Sequence, residues 1–289
     1  MKKTILEQLA LQGASAAGVV RARRLSELRE ILKNRGSVSL CEPDIEKRID
    51  PFLLMPEVKS IIVCLFSYCL RQNTKISEYA MGLDYHTVIK SRLGAVSEFL
   101  KDKGYLSEVY VDNTPLPDRY LAYLAGLGFF GKNGMLINEK YGSKVFIGYI
   151  MTDCELEADK SCNNAYCIGC NKCIAACPGG AIGENFGFDE NKCVSFLTQK
   201  KGELTKGEAE IIKKSGYVWG CDICQNVCPY NYTAPLTELD EFCQSIIRDI
   251  SIDDDMTNRE FRERYGNRAF AWRGRAVLKR NIDLYKGHL

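Results

Sequence analysis

Apolar positions recur along this chain at two different periods, and the changes of period divide it into segments. Through residues 4–34 the spacing is helical, with Ile5, Leu6 and Leu9 on one face. SIIVCLF (60–66) is a continuous apolar run suited to a strand covered on both faces. DYHTVIKSRLGAVSEFLKDKG (84–104) returns to helical spacing, with Val88, Leu93, Val96, Phe99 and Leu100 on one face and Gly104 as its stop. SEVYVD (107–112) alternates as a strand does, PDRYLAYLAGLG (117–128) reads as a helix opening on proline, and KVFIGYIMTD (144–153) as another strand. Residues 1–155 are therefore expected to form a layered α/β unit with its own core. Residues 156–235 are rich in cysteine and poor in long apolar runs, so their fold is expected to depend on what the thiolates bind. Residues 236–289 return to a helical pattern, too short for another domain, and are expected to pack back on the rest.

Of the 289 residues, 46% are hydrophobic and 26% charged, the balance of a globular protein with a sizeable core rather than a disordered tail. The net charge of +2 gives no overall attraction to nucleic acid, although a local patch is open. The opening residues resemble a signal peptide only until Glu7, Gln8 and Gln12 interrupt the apolar stretch. No apolar run reaches the roughly 20 residues of a membrane span. The expected location is the cytoplasm, where thiols stay reduced, so disulfides are a poor account of the 14 cysteines.

The cysteines are concentrated: nine lie between Cys162 and Cys228. Cys167, Cys170, Cys173 and Cys177, the last followed by Pro178, have the bacterial ferredoxin spacing. Three thiolates at that spacing wrap one cubane cluster, and the fourth reaches a second one. Cys221, Cys224 and Cys228, with Pro229 after them and Cys193 upstream, form the second set. By that crossover, one 4Fe-4S cluster takes Cys167, Cys170, Cys173 and Cys228, and the other takes Cys177, Cys193, Cys221 and Cys224. Zinc is the alternative, but it favours separated C-x2-C pairs. Cys162 is expected to be a free thiol, and Cys41, Cys64, Cys69, Cys154 and Cys243 small buried hydrophobes.

LAGLGFFGKNG contains the letters of a dinucleotide fingerprint and most of a phosphate-binding loop. The first fails because the glycines close a predicted helix instead of opening one, and the second because Asn133 stands where Ser or Thr should hold magnesium. The loop is equally read as a helix C-cap or as the wall of another cofactor's pocket. Of the two histidines, His86 starts a helix and is read as structural, and His288 lies in the tail. Asp112 ends a strand before a proline-containing loop, a place for either a helix cap or a catalytic carboxylate.

VDNTPLPDRYLAYLAGLGFFGKN (111–133), GSKVFIGYIMTD (142–153), CIGCNKCIAACPGGAI, NKCVSFLTQKKG and GCDICQNVCPYN together resemble the epoxyqueuosine reductase family over nearly the whole chain. The resemblance implies an α+β / α/β fold, with an N-terminal α/β cobalamin-binding domain and a ferredoxin-like domain holding two 4Fe-4S clusters. It implies reduction of epoxyqueuosine to queuosine at the tRNA wobble position with cobalamin as cofactor. An external electron donor such as ferredoxin or flavodoxin is implied too, and the chain is expected to be monomeric. By position, Asp112 matches the family's proton donor, which would need a raised pKa near neutral pH. Arg48 matches an arginine of the cobalamin pocket, Tyr85 and His86 lie in a stretch typical of the family, and Arg119, Lys132, Asn133, Gly142 and Ser143 fall in segments expected to line the corrin. Asp222 and Gln225 are expected to face the cofactor. Family members are commonly longer, with helical repeats after the cluster domain. Here the candidate tRNA surface is Arg268, Arg273, Arg275, Lys279 and Arg280, interleaved with Phe270 and Trp272, and the stretch reads equally as a solvated helix face packed on the core by its aromatics. The rival readings are a cobalamin-dependent reductase of a small molecule and an iron–sulfur electron-transfer protein.

Overall fold

The computed structural model describes residues 1–35, 40–161 and 166–286. Helix α1 (Lys2–Leu11) leads into strand β1 (Ala16–Arg21), followed by α2 (Arg29–Arg35) and α3 (Ile45–Ile49). Next come β2 (Ser60–Ser67), α4 (Tyr85–Asp102), β3 (Ser107–Val111) and α5 (Asp118–Leu124). A small hairpin of β4 (Phe129–Phe130) and β5 (Leu136–Ile137) precedes β6 (Val145–Thr152). Four of these strands form one sheet in the order β1-β2-β6-β3, and every pairing in it is antiparallel.

Both faces of the sheet are covered, which explains why β2 reads as an unbroken apolar run. Ile62, Cys64 and Phe66 point to one side, where Ile5 and Leu9 of α1 and Ile89, Leu93 and Val96 of α4 meet them. Ile61, Val63 and Leu65 point to the other, toward Leu32 of α2, Ile49 of α3 and Leu121 and Ala122 of α5. The helical expectation for residues 4–34 fails at Ala16–Arg21. Here pairing with β2 decides the structure, with Val19 opposite Ile62 and Val20 opposite Ile61. A six-residue edge strand covered on both faces carries no alternation to betray it.

Helix α4 approaches β6 closely at Gly148, where a Cβ would stand 2.8 Å from both Ile89 and Leu93. That contact, and the capping of α4 by the Asp84 carboxylate, which accepts from the His86 amide at 3.1 Å, sets Tyr85 and His86 beside the end of β3.

The cysteine-rich segment carries α6 (Lys172–Ala176), α7 (Val194–Leu197), α8 (Lys206–Ser215) and α9 (Ile223–Asn226), with α6 packed on α9. Then come α10 (Asp240–Cys243), α11 (Asn258–Tyr265) and α12 (Arg275–Lys286). Phe261, Phe270, Val277 and Leu278 of this last stretch share a core with Ile76, Met81 and Trp219. Among the described residues no helix is long and apolar enough to cross a membrane. Cys64, Cys69 and Cys154 are buried as expected, Cys243 is half-buried, and Cys41 is exposed. The expectation for Cys41 fails because it lies in the irregular stretch before α3, outside any core layer. Cys162 and His288 lie outside the described residues.

Candidate active site and cluster cavities

Asp112 follows directly on β3, and with Asn113 it adopts a left-handed backbone, φ 48° and 25°. Asp and Asn tolerate this conformation better than most residues, and strain of this kind gathers at functional sites. The turn leaves the Asp112 side chain 55% exposed at the N-terminal end of α4. Its Oδ2 accepts a short hydrogen bond from the Tyr85 hydroxyl and lies 3.4 Å from His86 Nε2. His86 Nδ1 is 2.7 Å from Asp84 Oδ1, so both ring nitrogens face carboxylates. Tyr85 stacks on His86 at 4.0 Å and on Phe146 at 4.2 Å, which holds the group in place.

The electrostatics follow from this arrangement. Burial lowers the His86 pKa, but hydrogen bonding to Asp112 and Asp84 outweighs it and lifts the imidazole to about 9. For Asp112, burial raises the pKa, but hydrogen bonds from His86 and Tyr85 outweigh it and hold the carboxyl below its ordinary value. The raised pKa expected for a proton donor is therefore not the resting state of Asp112. It belongs instead to Asp118, in the first turn of α5, where burial and then the Asp112 charge push the carboxyl up to about 8. Asp118 Oδ1 accepts from the Thr114 hydroxyl at 3.3 Å, and Thr114 in turn accepts from the Tyr149 hydroxyl at 2.7 Å. Sequence reasoning passed over Asp118 although the DNTPLPD loop displays both carboxylates. The missing signal was their mutual repulsion, which is a matter of distance.

The structure divides the other singled-out residues between three places. Arg48, half-buried in α3, shares a side of the sheet with the 112–118 loop through the core that Ile49 and Leu116 both join. The exposed Arg119 donates to the Gly134 carbonyl at 2.7 Å, tying α5 to the glycine loop. Ser143, Asp222 and Gln225 turn inward, into a buried network that joins the sheet to the cysteine segment. The Ser143 hydroxyl donates to Gln225 Oε1 at 2.9 Å, and its amide to Asn231 Oδ1 at 2.7 Å. Gly142 packs against the same asparagine, so closely that a Cβ would stand 2.0 Å from its Oδ1. Asp222 is 1% exposed and accepts from the Ser77 hydroxyl at 2.5 Å and the Glu78 amide at 2.7 Å. Glu78 pairs with Lys144 at 2.6 Å, with side chains 1% and 3% exposed. Ser143, Asp222 and Gln225, expected near the cofactor, are thus held by these protein partners.

Lys132 and Asn133 stand on a cavity wall that also includes Cys167, Cys170, Cys173 and Cys228. These four cysteines are electrostatic neighbours of one another, and Cys177, Cys193, Cys221 and Cys224 are likewise neighbours. The two groups match the two ligand sets that the spacing suggested. The fold thus brings Cys228 back over some 55 residues to lie near Cys167, Cys170 and Cys173, and sets Cys177 near Cys193, Cys221 and Cys224.

The basic stretch at the end is mostly consumed by the fold. Arg268 donates to the Met81 carbonyl at 3.2 Å, Arg280 to the Lys200 and Gly202 carbonyls at 2.7 Å each, and Lys279 pairs with Asp254 and Asp283. Phe270 is fully buried. Only Trp272, 57% exposed with the Arg273 guanidinium 3.7 Å over its ring, presents an aromatic surface as expected.

Residues 48–113 match the family described as epoxyqueuosine reductase QueG, DUF1730, and residues 166–231 match the 4Fe-4S double cluster binding domain. The chain is 33% identical to epoxyqueuosine reductase of Bacillus subtilis over 100% of its own length and 79% of the relative's. It is 32% identical to that of Cyclobacterium marinum, over 95% of this chain and 93% of the relative. A crystal structure of epoxyqueuosine reductase with an epoxyqueuosine-modified tRNA-Tyr stem loop superposes with a TM-score of 0.90 at 31% identity, covering 99% of this chain and 81% of that one. A catabolic reductive dehalogenase at 15% identity and a TM-score of 0.51 shares the fold. By sequence and by fold, this chain belongs to the epoxyqueuosine reductase family.

Proposed function

We propose that this protein reduces epoxyqueuosine to queuosine at the tRNA wobble position, with cobalamin and two 4Fe-4S clusters. The observation that carries the reading is the half-exposed Asp112, held in a strained turn by Tyr85 and His86, in one fold with two sets of four cysteines. Bound cobalamin would supply the reductive chemistry at the epoxide carbon, and the clusters would feed electrons one at a time from an external carrier such as ferredoxin or flavodoxin. The residues fit such a group. Both nitrogens of His86 face carboxylates, so its charge would be balanced by Asp84 and Asp112 beside a bound group. Arg48, Arg119, Lys132 and Gly142, with Tyr85 and His86, are the candidates to flank the corrin.

The chain's own share of the chemistry is positioning and the proton. In this reading Asp112, ionised at rest, takes up a proton from the adjacent His86 imidazolium and passes it to the oxygen released as the epoxide opens. Tyr85 and His86 orient its carboxyl and stabilise the carboxylate left behind. Asp118, protonated near neutral pH, holds the next proton in the same loop.

The test is direct. The reconstituted protein, with cobalamin and a low-potential reductant under anaerobic conditions, is incubated with epoxyqueuosine-containing tRNA, and the nucleosides are analysed by mass spectrometry. Queuosine should appear in proportion to enzyme. No conversion by protein carrying both clusters and cobalamin would sink the proposal and favour an electron-transfer role.

A further inference from the structure

One buried polar atom near the clusters has no partner. Asn133 is 6% exposed, and its Nδ2 makes no hydrogen bond among the described residues. The orientation of the amide is settled by its other end: Oδ1 accepts from the Met135 amide at 3.2 Å, closing the turn of the glycine loop. Gly131 packs tightly beneath, where a Cβ would lie 2.6 Å from that Oδ1 and 2.7 Å from Ile137. The oxygen is thus fixed toward the loop, and rotating the amide would break the turn. Lys132 straps the loop to the cysteine segment through a 2.8 Å bond to Asn171 Oδ1, beside Cys170. Asn133 therefore belongs to the wall of the cavity shared by Cys167, Cys170, Cys173 and Cys228. A buried amide donor without an acceptor is costly, and the chemistry expected in that cavity is thiolate and sulfide, both acceptors.

We propose that Asn133 donates a hydrogen bond from Nδ2 to a sulfur of the cluster held by Cys167, Cys170, Cys173 and Cys228, and that this bond raises the cluster's reduction potential. The inference rests on that ligand assignment. Its physical basis is that reduction adds negative charge to the sulfurs, so a fixed N–H donor stabilises the reduced form more than the oxidised one. The same cavity explains why the residue after Lys132 is an asparagine. Its oxygen closes the turn, and its nitrogen serves the cluster.

The experiment is a potentiometric titration of the reconstituted full chain followed by EPR. Cys170→Ser first identifies which of the two cluster signals belongs to the first set. If it disturbs neither signal, the ligand assignment fails, and the inference with it. Asn133→Leu removes the donor without adding charge, and Asn133→Asp keeps an oxygen for the Met135 amide and removes the donor. Both should lower the midpoint of the identified cluster, the neutral Leu variant by about 59 mV, which is about tenfold in the oxidised-to-reduced ratio at fixed potential. The other cluster should keep its midpoint and serve as the internal reference. An unchanged midpoint in both variants overturns the proposal, as does a fall in the Asp variant alone, which would report added charge and no lost donor. Should the variants fail to assemble the cluster, the wild-type protein decides. With 15N-labelled asparagine, the reduced cluster should show a hyperfine coupling to a side-chain nitrogen, and its absence refutes the bond.

Discussion

Replacing Lys144 by methionine should destabilise the whole junction between the sheet and the cysteine segment. The Lys144–Glu78 pair is 2.6 Å apart, with side chains 3% and 1% exposed, so water offers almost no screening. Without the ammonium, the Glu78 carboxylate keeps two backbone donors, Leu70 N at 2.7 Å and Gln72 N at 3.1 Å, but no countercharge. Breaking one side of a buried pair costs about 3–5 kcal/mol. For a chain of this size that corresponds to a fall in the unfolding midpoint of roughly 10 °C. The damage should not stay local. The Glu78 amide holds Asp222, and Asp222 sits between Cys221 and Cys224, so the cluster on that side should be lost first on heating. The assay is thermal unfolding by circular dichroism, with cluster absorbance and iron content followed in parallel at matched starting occupancy, because bound clusters make unfolding multi-step. The double variant Lys144→Met with Glu78→Gln removes both charges and should recover about 2–3 kcal/mol relative to the sum of the singles. Additive single effects, or a Lys144→Met cost below about 1 kcal/mol, would refute the claim that the pair is buried and coupled.

Three other outcomes are expected. Asp112→Asn should retain clusters and cobalamin while single-turnover queuosine formation falls about 10²–10⁴-fold; near-normal turnover removes Asp112 from the mechanism. Asp118 is neutral below about 8 and charged above it, so turnover should decline as pH rises through that value. Asp118→Asn should flatten that limb and slow the reaction at neutral pH, and an unchanged pH–rate profile would mean that Asp118 supplies no proton. Trp272→Ala should weaken binding of a tRNA anticodon stem loop by about 1–3 kcal/mol in an anisotropy titration. Lys279→Ala, which loses pairs to Asp254 and Asp283 and no outward-facing charge, should change that binding little.

What the sequence made legible depended on how local the governing physics is. β2 and β6 are covered on both faces, so their burial is written in the residues themselves as apolar runs. β1 is equally buried at Val19 and Val20, but only its register against β2 makes it a strand, and no window of its own residues contains that information. The cysteine sets were readable because a cubane imposes spacing on the chain that carries its ligands. The basic tail was ambiguous for the opposite reason. Arg268 and Arg280 look like an electrostatic surface in one dimension and end on backbone carbonyls in three.

The carboxylates show the same limit in its sharpest form. Asp112 and Asp118 are six positions apart in one loop and carry the same intrinsic acidity. The fold separates them by giving one every donor and the other almost none. Tyr85 and His86 converge on Asp112 from the start of α4, a placement that depends on Gly148 letting the helix lie close to β6. Asp118 receives one hydroxyl and feels its neighbour's charge. Two like charges in a partly buried loop cannot both be cheap, so stabilising the first raises the cost of the second. An ionised carboxylate and a protonated carboxylic acid at the same pH form a matched acceptor and source. A site that must give up protons while electrons arrive singly needs both kinds of group within one loop.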